Sequence, residues 1–181
     1  MKGFLKRKFE RWLSRQLRKG RFQLSWDAGF LPDKKVKVQI GDVWLELDGN
    51  YKHERDYFRY WVLGKKYPQS EIDRLVFERF IDEDGSFLDL GANIGFTALL
   101  AAQCGASKVL AVEAVPEIFE RLKKVELPGM NVVHAAISAE SGFGDIYVSS
   151  AHNQGSTTDY ATVERFRDVF PRELRVVKVP F

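Results

Sequence analysis

Phe87-Leu88-Asp89-Leu90-Gly91-Ala92-Asn93-Ile94-Gly95 is the stretch that decides how this 181-residue chain folds. Its apolar run, Phe87, Leu88 and Leu90, is broken only by Asp89 and passes into a glycine-bearing turn. Beyond the turn, apolar residues fall at Phe96, Leu99, Leu100 and Ala101, the spacing of one helix face. The pattern predicts a buried strand, a tight turn and a helix N-terminus. Backbone N–H groups at such a turn are expected to point outward, and the helix end adds partial positive charge, so a polar or anionic ligand suits the place. Gly91 lets the backbone turn sharply and approach a ligand closely, and Gly95 lets the first helical turn sit tight on the strand.

Spacing narrows the ligand. A dinucleotide fingerprint requires G-x-G-x-x-G, whereas this turn reads D-x-G-x-x-x-G with Asn93 at the place of the second glycine. A side chain there narrows the room for a pyrophosphate. A second apolar run, Val109-Leu110-Ala111-Val112, ends at Glu113, about twenty residues on, where a carboxylate grips a ribose diol. Pro116 then opens a second helix in the favoured first-turn position, with Ile118, Phe119, Leu122 and Val125 on its inner face and Leu127-Pro128-Gly129 after it. Asn131 to Ala136 reads as a third strand, whose small residues Ala135 and Ala136 leave space for a flat adenine ring. Successive strand–helix steps argue an α/β fold with a parallel sheet, right-handed crossovers and the ligand at the strands' C-terminal ends. A nucleoside without a bulky phosphate at the turn is the ligand class; S-adenosylmethionine fits it.

These residues carry a resemblance. LDLGANIGFTALLAA, followed by VLAVEAVPEIFERLK and then NVVHAAIS, resembles the FkbM-type methyltransferases, a Rossmann-like branch of the S-adenosylmethionine-dependent enzymes. The resemblance runs from about Ser70 onward and implies O-methylation of a hydroxyl on a sugar, polyketide or related small acceptor. For this chain it implies a cofactor site of Asp89, Gly91, Ala92, Asn93, Gly95, Glu113 and Ala136. Gly91 and Gly95 shape the turn, Asn93 bonds the methionine part, Glu113 the ribose hydroxyls, and Ala136 forms the adenine floor. Asp89 acts through the turn or the amino group; the residues alone also allow a carboxylate that bonds the backbone of its own turn. The family places a helix beside the cofactor, which brings Glu71 toward the methionine end, while the residues alone also allow a first-turn carboxylate serving the helix dipole. No residue is singled out as a catalytic base. In the family a further strand with an acidic motif follows the region of Val176 to Pro180. The resemblance therefore implies that the C-terminal half of the sheet lies beyond this chain, as in a fragment, a split protein or a remnant. The Phe87–Leu90 strand would then keep one unpaired edge, open to self-association.

The charge is uneven. Residues 1–22 hold nine Lys/Arg and one acid, a net +8, which leaves the rest of the chain at −5. Leu5, Phe9, Trp12, Leu13 and Leu17 gather on one face of that segment, so it reads as a basic amphipathic helix that either lies on a membrane surface or packs on the domain. Residues 23–69 read as an N-terminal extension. Alternation at Val36, Val38 and Ile40, then at Val43, Leu45 and Leu47, marks a hairpin turning at Gly41-Asp42. An aromatic-rich helix follows over His53 to Leu63. Residues 70–181 read as the cofactor-binding domain, opened by a helix capped at Ser70 with Ile72, Leu75, Val76 and Phe80 as its inner face. After Ser138 the chain reads as a strand over Asp145 to Ser149, a polar loop, a helical patch at Tyr160 to Phe170 and a last strand at Leu174 to Val179. His152 and Asp159 fall in this part, as acceptor-facing or plain loop residues.

Several classes are set aside. A lone cysteine, Cys104, forms no intramolecular disulfide, and the scattered His53, His134 and His152 offer no metal-binding spacing, so no metal is expected. No basic pattern with interleaved aromatics recurs, so no nucleic acid is expected. No apolar run approaches a signal sequence or a membrane span, which points to a cytoplasmic protein, peripheral to the membrane if residues 1–22 bind it. Two other functions stay open: a non-catalytic cofactor-binding or membrane-associated remnant, and a nucleotide-dependent oxidoreductase, which the missing second glycine disfavours.

Overall fold

The computed structural model describes residues 35–149, 154–167 and 175–181. The helix expected over residues 1–22, and His152, lie outside them. The described elements run in the order β1 (Lys35–Ile40), β2 (Val43–Asp48), α1 (Lys52–Val62), α2 (Pro68–Phe80), β3 (Gly85–Leu90), α3 (Phe96–Gln103), β4 (Ala106–Glu113), α4 (Pro116–Leu122), β5 (Met130–His134), β6 (Phe143–Val148), α5 (Tyr160–Arg165) and β7 (Arg175–Pro180).

The centre is a parallel three-stranded sheet ordered β3-β4-β5, with α3 and α4 as the connections. This is the α/β fold that the strand–turn–helix pattern predicts. Side chains alternate across each strand, so one face carries Phe87, Val109, Ala111 and Val132, and these join Ala98, Ala101 and Leu122 in a buried cluster under the helices. Alanines on α3 let that helix lie close to the sheet. The opposite face carries Leu88, Leu90, Leu110 and Val133, all exposed, with Leu88 at 55% and Leu90 at 53%. Among the described residues β3 pairs with β4 alone, so its other edge is bare.

The hairpin forms in the expected register, with Ile40 opposite Val43, Val38 opposite Leu45 and Val36 opposite Leu47. Its inward residues Val38, Val43, Leu45 and Leu47, with Phe58 of α1, share one buried cluster with Ile94, Leu99, Val115 and Ile118. Arg121 of α4 fastens this contact. Its guanidinium donates to both oxygens of the fully buried Glu54 on α1, at 3.0 and 2.6 Å, and to the carbonyl of Glu46 on β2 at 2.7 Å. Strands β6 and β7 form a separate antiparallel ribbon, and Arg175 of β7 grips Glu117 of α4 through two bonds of 2.6 and 2.8 Å.

Two expectations for α2 are corrected. The helix starts at Pro68, after Tyr67 as N-cap, and not at Ser70; proline fits the first helical position because it has no N–H to leave unbonded. The Ser70 hydroxyl instead meets the Tyr57 hydroxyl at 2.9 Å. Ile72, Leu75, Val76 and Phe80, expected inside, face outward, with Leu75 at 70% and Phe80 at 78% exposed. Phe77 is the residue that packs inward, edge-on to Phe87 with ring centroids 5.0 Å apart. No described helix is long and apolar enough to cross a membrane.

Candidate functional site

The turn between β3 and α3 is built almost wholly on internal bonds. The N–H groups of Gly91 and Ala92 both donate to the Val112 carbonyl at 2.9 Å, and that of Gly95 donates to the Ala92 carbonyl at 2.9 Å. The Asn93 N–H donates to Glu113 Oε2 at 2.9 Å. The expectation that these groups point outward is thereby corrected: β4 lies close enough to take them, so the turn is no cradle for phosphate. Positive φ is needed at Gly91 (81°) and Gly95 (90°), and Asn93 holds φ 53°. The two glycines differ in purpose. A Cβ on Gly91 would meet nothing within 4 Å, so its backbone bend and open approach matter, whereas one on Gly95 would lie 3.0 Å from Leu122 Cδ1. Gly95 thus allows α3 to close on α4, not on the strand as its spacing suggested.

Above the turn, at the C-terminal ends of β3 and β4, lies a cavity of about 560 Å³, within the range that holds a nucleoside-sized ligand. Gly91, Asn93, Glu113 and Ala136 line it, together with Ala135, Val115 and Ile137. Four of the seven residues assigned from sequence therefore converge on one wall. Ala92, Gly95 and Asp89 do not line it: Ala92 and Gly95 sit in the packing behind the turn, and Asp89 lies beneath. Gln154, Ser156, Thr157 and Thr158 line it as well, and sequence reasoning left them as an undifferentiated polar loop. A bridge between Tyr147 and Thr157 sets that loop against β6, with bonds of 2.7 and 3.1 Å.

Glu113 is the site's principal polar group. Its Oε2 accepts from Asn93 N–H and its Oε1 from Val115 N–H at 2.8 Å, so one carboxylate ties the β3 turn to the β4 exit. The Ala114 N–H also favours its charged form, and the carboxylate keeps acceptor capacity for a hydroxyl from the cavity. Burial pushes its pKa up while those backbone donors pull it back. Ala135 and Ala136 follow β5 directly and supply a flat, small-residue wall.

Asp89 serves the fold. Burial lifts its carboxyl to about 6, against a backbone bond from Ala98 in α3 that favours the charged form and a repulsive contribution from Glu113. Its Oδ2 is buried without a hydrogen-bond partner. Because an unfolded aspartate titrates near about 3.9, the folded state binds this proton more tightly. The stabilisation it gives is full below about pH 4 and is lost as pH rises through about 6. Asp89→Asn is expected to flatten the stability of the protein between pH 4 and 7 by about 2 kcal/mol relative to wild type, an order-of-magnitude figure. Urea unfolding at both pH values measures it, and an unchanged slope would refute the assignment.

Other candidates fall away from the cavity. Glu71 lines a separate, smaller hollow with Tyr57, Tyr67 and Phe96, where it pairs with Lys66 at 3.0 Å. Asp159 is the N-cap of α5, accepting from Ala161 and Thr162 N–H and from the Thr162 hydroxyl, which holds its pKa below the usual carboxylate value. Cys104 is a half-buried residue at the end of α3. Among the described residues no group of His, Cys, Asp and Glu is disposed to hold a metal ion.

No curated protein matches the chain. Among solved structures it is similar to a candidate S-adenosylmethionine dependent methyltransferase from Listeria monocytogenes, at 24% identity over 38% of this chain and 35% of that one, with TM-score 0.31. It is also similar to the SAM dependent methyltransferase from Agrobacterium tumefaciens, at 16% identity over 57% of this chain and 33% of that one, with TM-score 0.39. The chain spans about a third of the length of either protein, and overlaps this partial leave the fold resting on the sheet itself. A family model, the methyltransferase FkbM domain, matches residues 89–176, from the carboxylate of the β3 strand to β7. The turn, the Glu113 clamp and the cavity all lie inside that span.

Proposed function

We propose that this chain binds S-adenosylmethionine in the cavity at the β3 and β4 ends and serves methyl transfer to a hydroxyl of a glycan or other small acceptor. The observation that carries the reading is the position of Glu113: a carboxylate at the end of the second strand, fixed to the Asn93 N–H across the glycine turn and facing a cavity of nucleoside size. The donor set fits the group. Glu113 offers acceptors to a ribose diol, Ala135 and Ala136 a flat wall to adenine, and Gly91 an approach free of any Cβ. Asn93 is placed to bond the methionine part, and the absence of outward N–H groups at the turn suits a ligand without phosphate.

When bound, the cofactor supplies a methyl group on a cationic sulfonium. The chain's own task is to hold that ligand and an acceptor oxygen in line, which is catalysis by proximity and alignment. Gln154, Ser156, Thr157 and Thr158 bring amide and hydroxyl groups to the same cavity, a polar surface suited to a hydroxyl-bearing acceptor. A fixed positive charge does not pass unaided through an apolar bilayer, which favours the cytoplasm as the place of reaction.

Titration of the purified chain with S-adenosylhomocysteine tests the reading. Binding in the micromolar range, about −8 kcal/mol, is expected. A folded chain that binds neither S-adenosylhomocysteine nor S-adenosylmethionine overturns it. Binding without transfer of labelled methyl to any hydroxyl acceptor favours a non-catalytic cofactor-binding module.

A further inference from the structure

The smaller hollow lies between α1, α2 and α3 and shares no lining residue with the cavity, at about 180 Å³ against about 560 Å³. Its aromatic walls are already braced by the fold. Tyr57 is held between two rings, Tyr67 with centroids 4.2 Å apart and Phe96 at 3.5 Å, and its hydroxyl meets that of Ser70 at 2.9 Å. Trp61 Nε1 donates to the Gln39 carbonyl at 3.3 Å, which ties the indole to β1. Walls that are set in advance leave little ordering cost for a ligand to meet. Leu99 and Leu100 of α3 and Ile40 at the end of β1 add aliphatic surface.

Aromatic rings alone would suit a cation. The charges around them reverse that preference, because Lys65, Lys66 and Arg74 line the hollow with a single acid, Glu71. Glu71 is taken by Lys66 at 3.0 Å. Arg74 donates to Gln103 Oε1 at 3.1 Å, but Glu71 and Glu78 each stand 4.0 Å from it, and its Nε is buried without a hydrogen-bond partner. The Lys65 ammonium has no partner among the described residues. A sugar does not suit these walls, since each of its hydroxyls would need a partner that ring faces and leucines lack. A ring that carries one negative charge suits them, with apolar area for the ring and cations for the charge.

We propose that this hollow is a binding site for a small aromatic carboxylate, its ring held against the aromatic and aliphatic walls and its anionic group drawn by Lys65 and Arg74. The site stands apart from the cofactor cavity and does not rest on the methyl-transfer reading.

Benzoate is the probe, titrated into the full chain and followed by NMR at assigned backbone amides. Saturation is expected with a Kd of about 1 mM or tighter. The shifts are expected to gather at Lys65, Lys66, Phe96 and Gln103, with little change at Gly91 and Glu113. Benzamide, the same ring without the charge, is expected to bind about tenfold more weakly, the worth of one charge-assisted hydrogen bond, and benzylammonium more weakly still. Lys65→Gln, at an exposed position outside the packed core, is expected to weaken benzoate by about the same factor. Saturating S-adenosylhomocysteine is expected to leave the benzoate affinity unchanged. Benzoate that fails to bind, that shifts Gly91 and Glu113 in place of the hollow, or that competes with S-adenosylhomocysteine overturns the proposal. Benzamide or benzylammonium binding as tightly as benzoate overturns it too, as does unchanged affinity in Lys65→Gln. A chain that binds benzoate here but not S-adenosylhomocysteine refutes the cofactor reading alone and leaves this site in place.

Discussion

Glu113→Ala is expected to weaken S-adenosylhomocysteine binding by about 100-fold or more. The substitution removes the acceptor proposed for the ligand's ribose and, at the same time, the partner of the Asn93 and Val115 N–H groups that shape the site. Hydrogen bonds to a charged group are worth about 1.5–3 kcal/mol each, and about 1.4 kcal/mol is a factor of ten, so loss of two such interactions accounts for the figure. Glu113→Gln separates the parts. Both backbone partners are donors, so the amide nitrogen of glutamine must face one of them, and a loss of about tenfold is expected. Calorimetry measures both variants, with thermal unfolding to show that each is folded. Affinity for Glu113→Ala within about threefold of wild type would remove Glu113 from the ligand's contacts.

Arg121→Ala is expected to have the largest effect on stability. It takes from the fully buried Glu54 carboxylate its guanidinium counterion and two of its hydrogen bonds, and it takes a donor from the Glu46 carbonyl. Breaking one side of a buried pair costs about 3–5 kcal/mol, a large share of the roughly 5–15 kcal/mol that holds a domain folded. A fall in Tm of about 10 °C or more follows for a chain of this size. Replacing both partners by apolar residues, Glu54→Leu with Arg121→Met, is expected to recover most of the loss, because no charge is then stranded. Arg175→Ala, which breaks the half-exposed pair with Glu117, is expected to cost less than about 1 kcal/mol. If Arg121→Ala proves as mild as Arg175→Ala, the pair does not fasten the hairpin and α1 to the sheet.

What the sequence made legible was whatever a local period reports. Alternation placed β1 and β2 in register, and the apolar run, glycine turn and helical spacing placed β3, α3 and β4. Glu113 was legible as a residue at the cavity because a strand end has a fixed relation to the strand before it. Periodicity also showed that Ile72, Leu75, Val76 and Phe80 share a face of α2, but not what that face meets; it is open among the described residues. The start of α2 was missed because Ser70 is as good a cap in isolation as Tyr67 is a poor one, and only Pro68 marked the true first turn. Gln154, Ser156, Thr157 and Thr158 had no pattern of their own, since a loop's place is set by what its ends are fastened to.

The wall proposed to receive adenine has one further tie. Ala136 donates its N–H to the carbonyl of Pro180 at 2.8 Å, and Phe181 returns a bond to the Gly142 carbonyl at 2.9 Å, so β7 braces the end of β5. Sheet strands β3, β4 and β5 are all synthesised well before that brace. On the nascent chain the pocket therefore stays half-made while its sheet is already paired, and long-range closure of this kind is slow. A ligand that binds only the finished pocket would therefore act as a latch on the joining of β7 to β5.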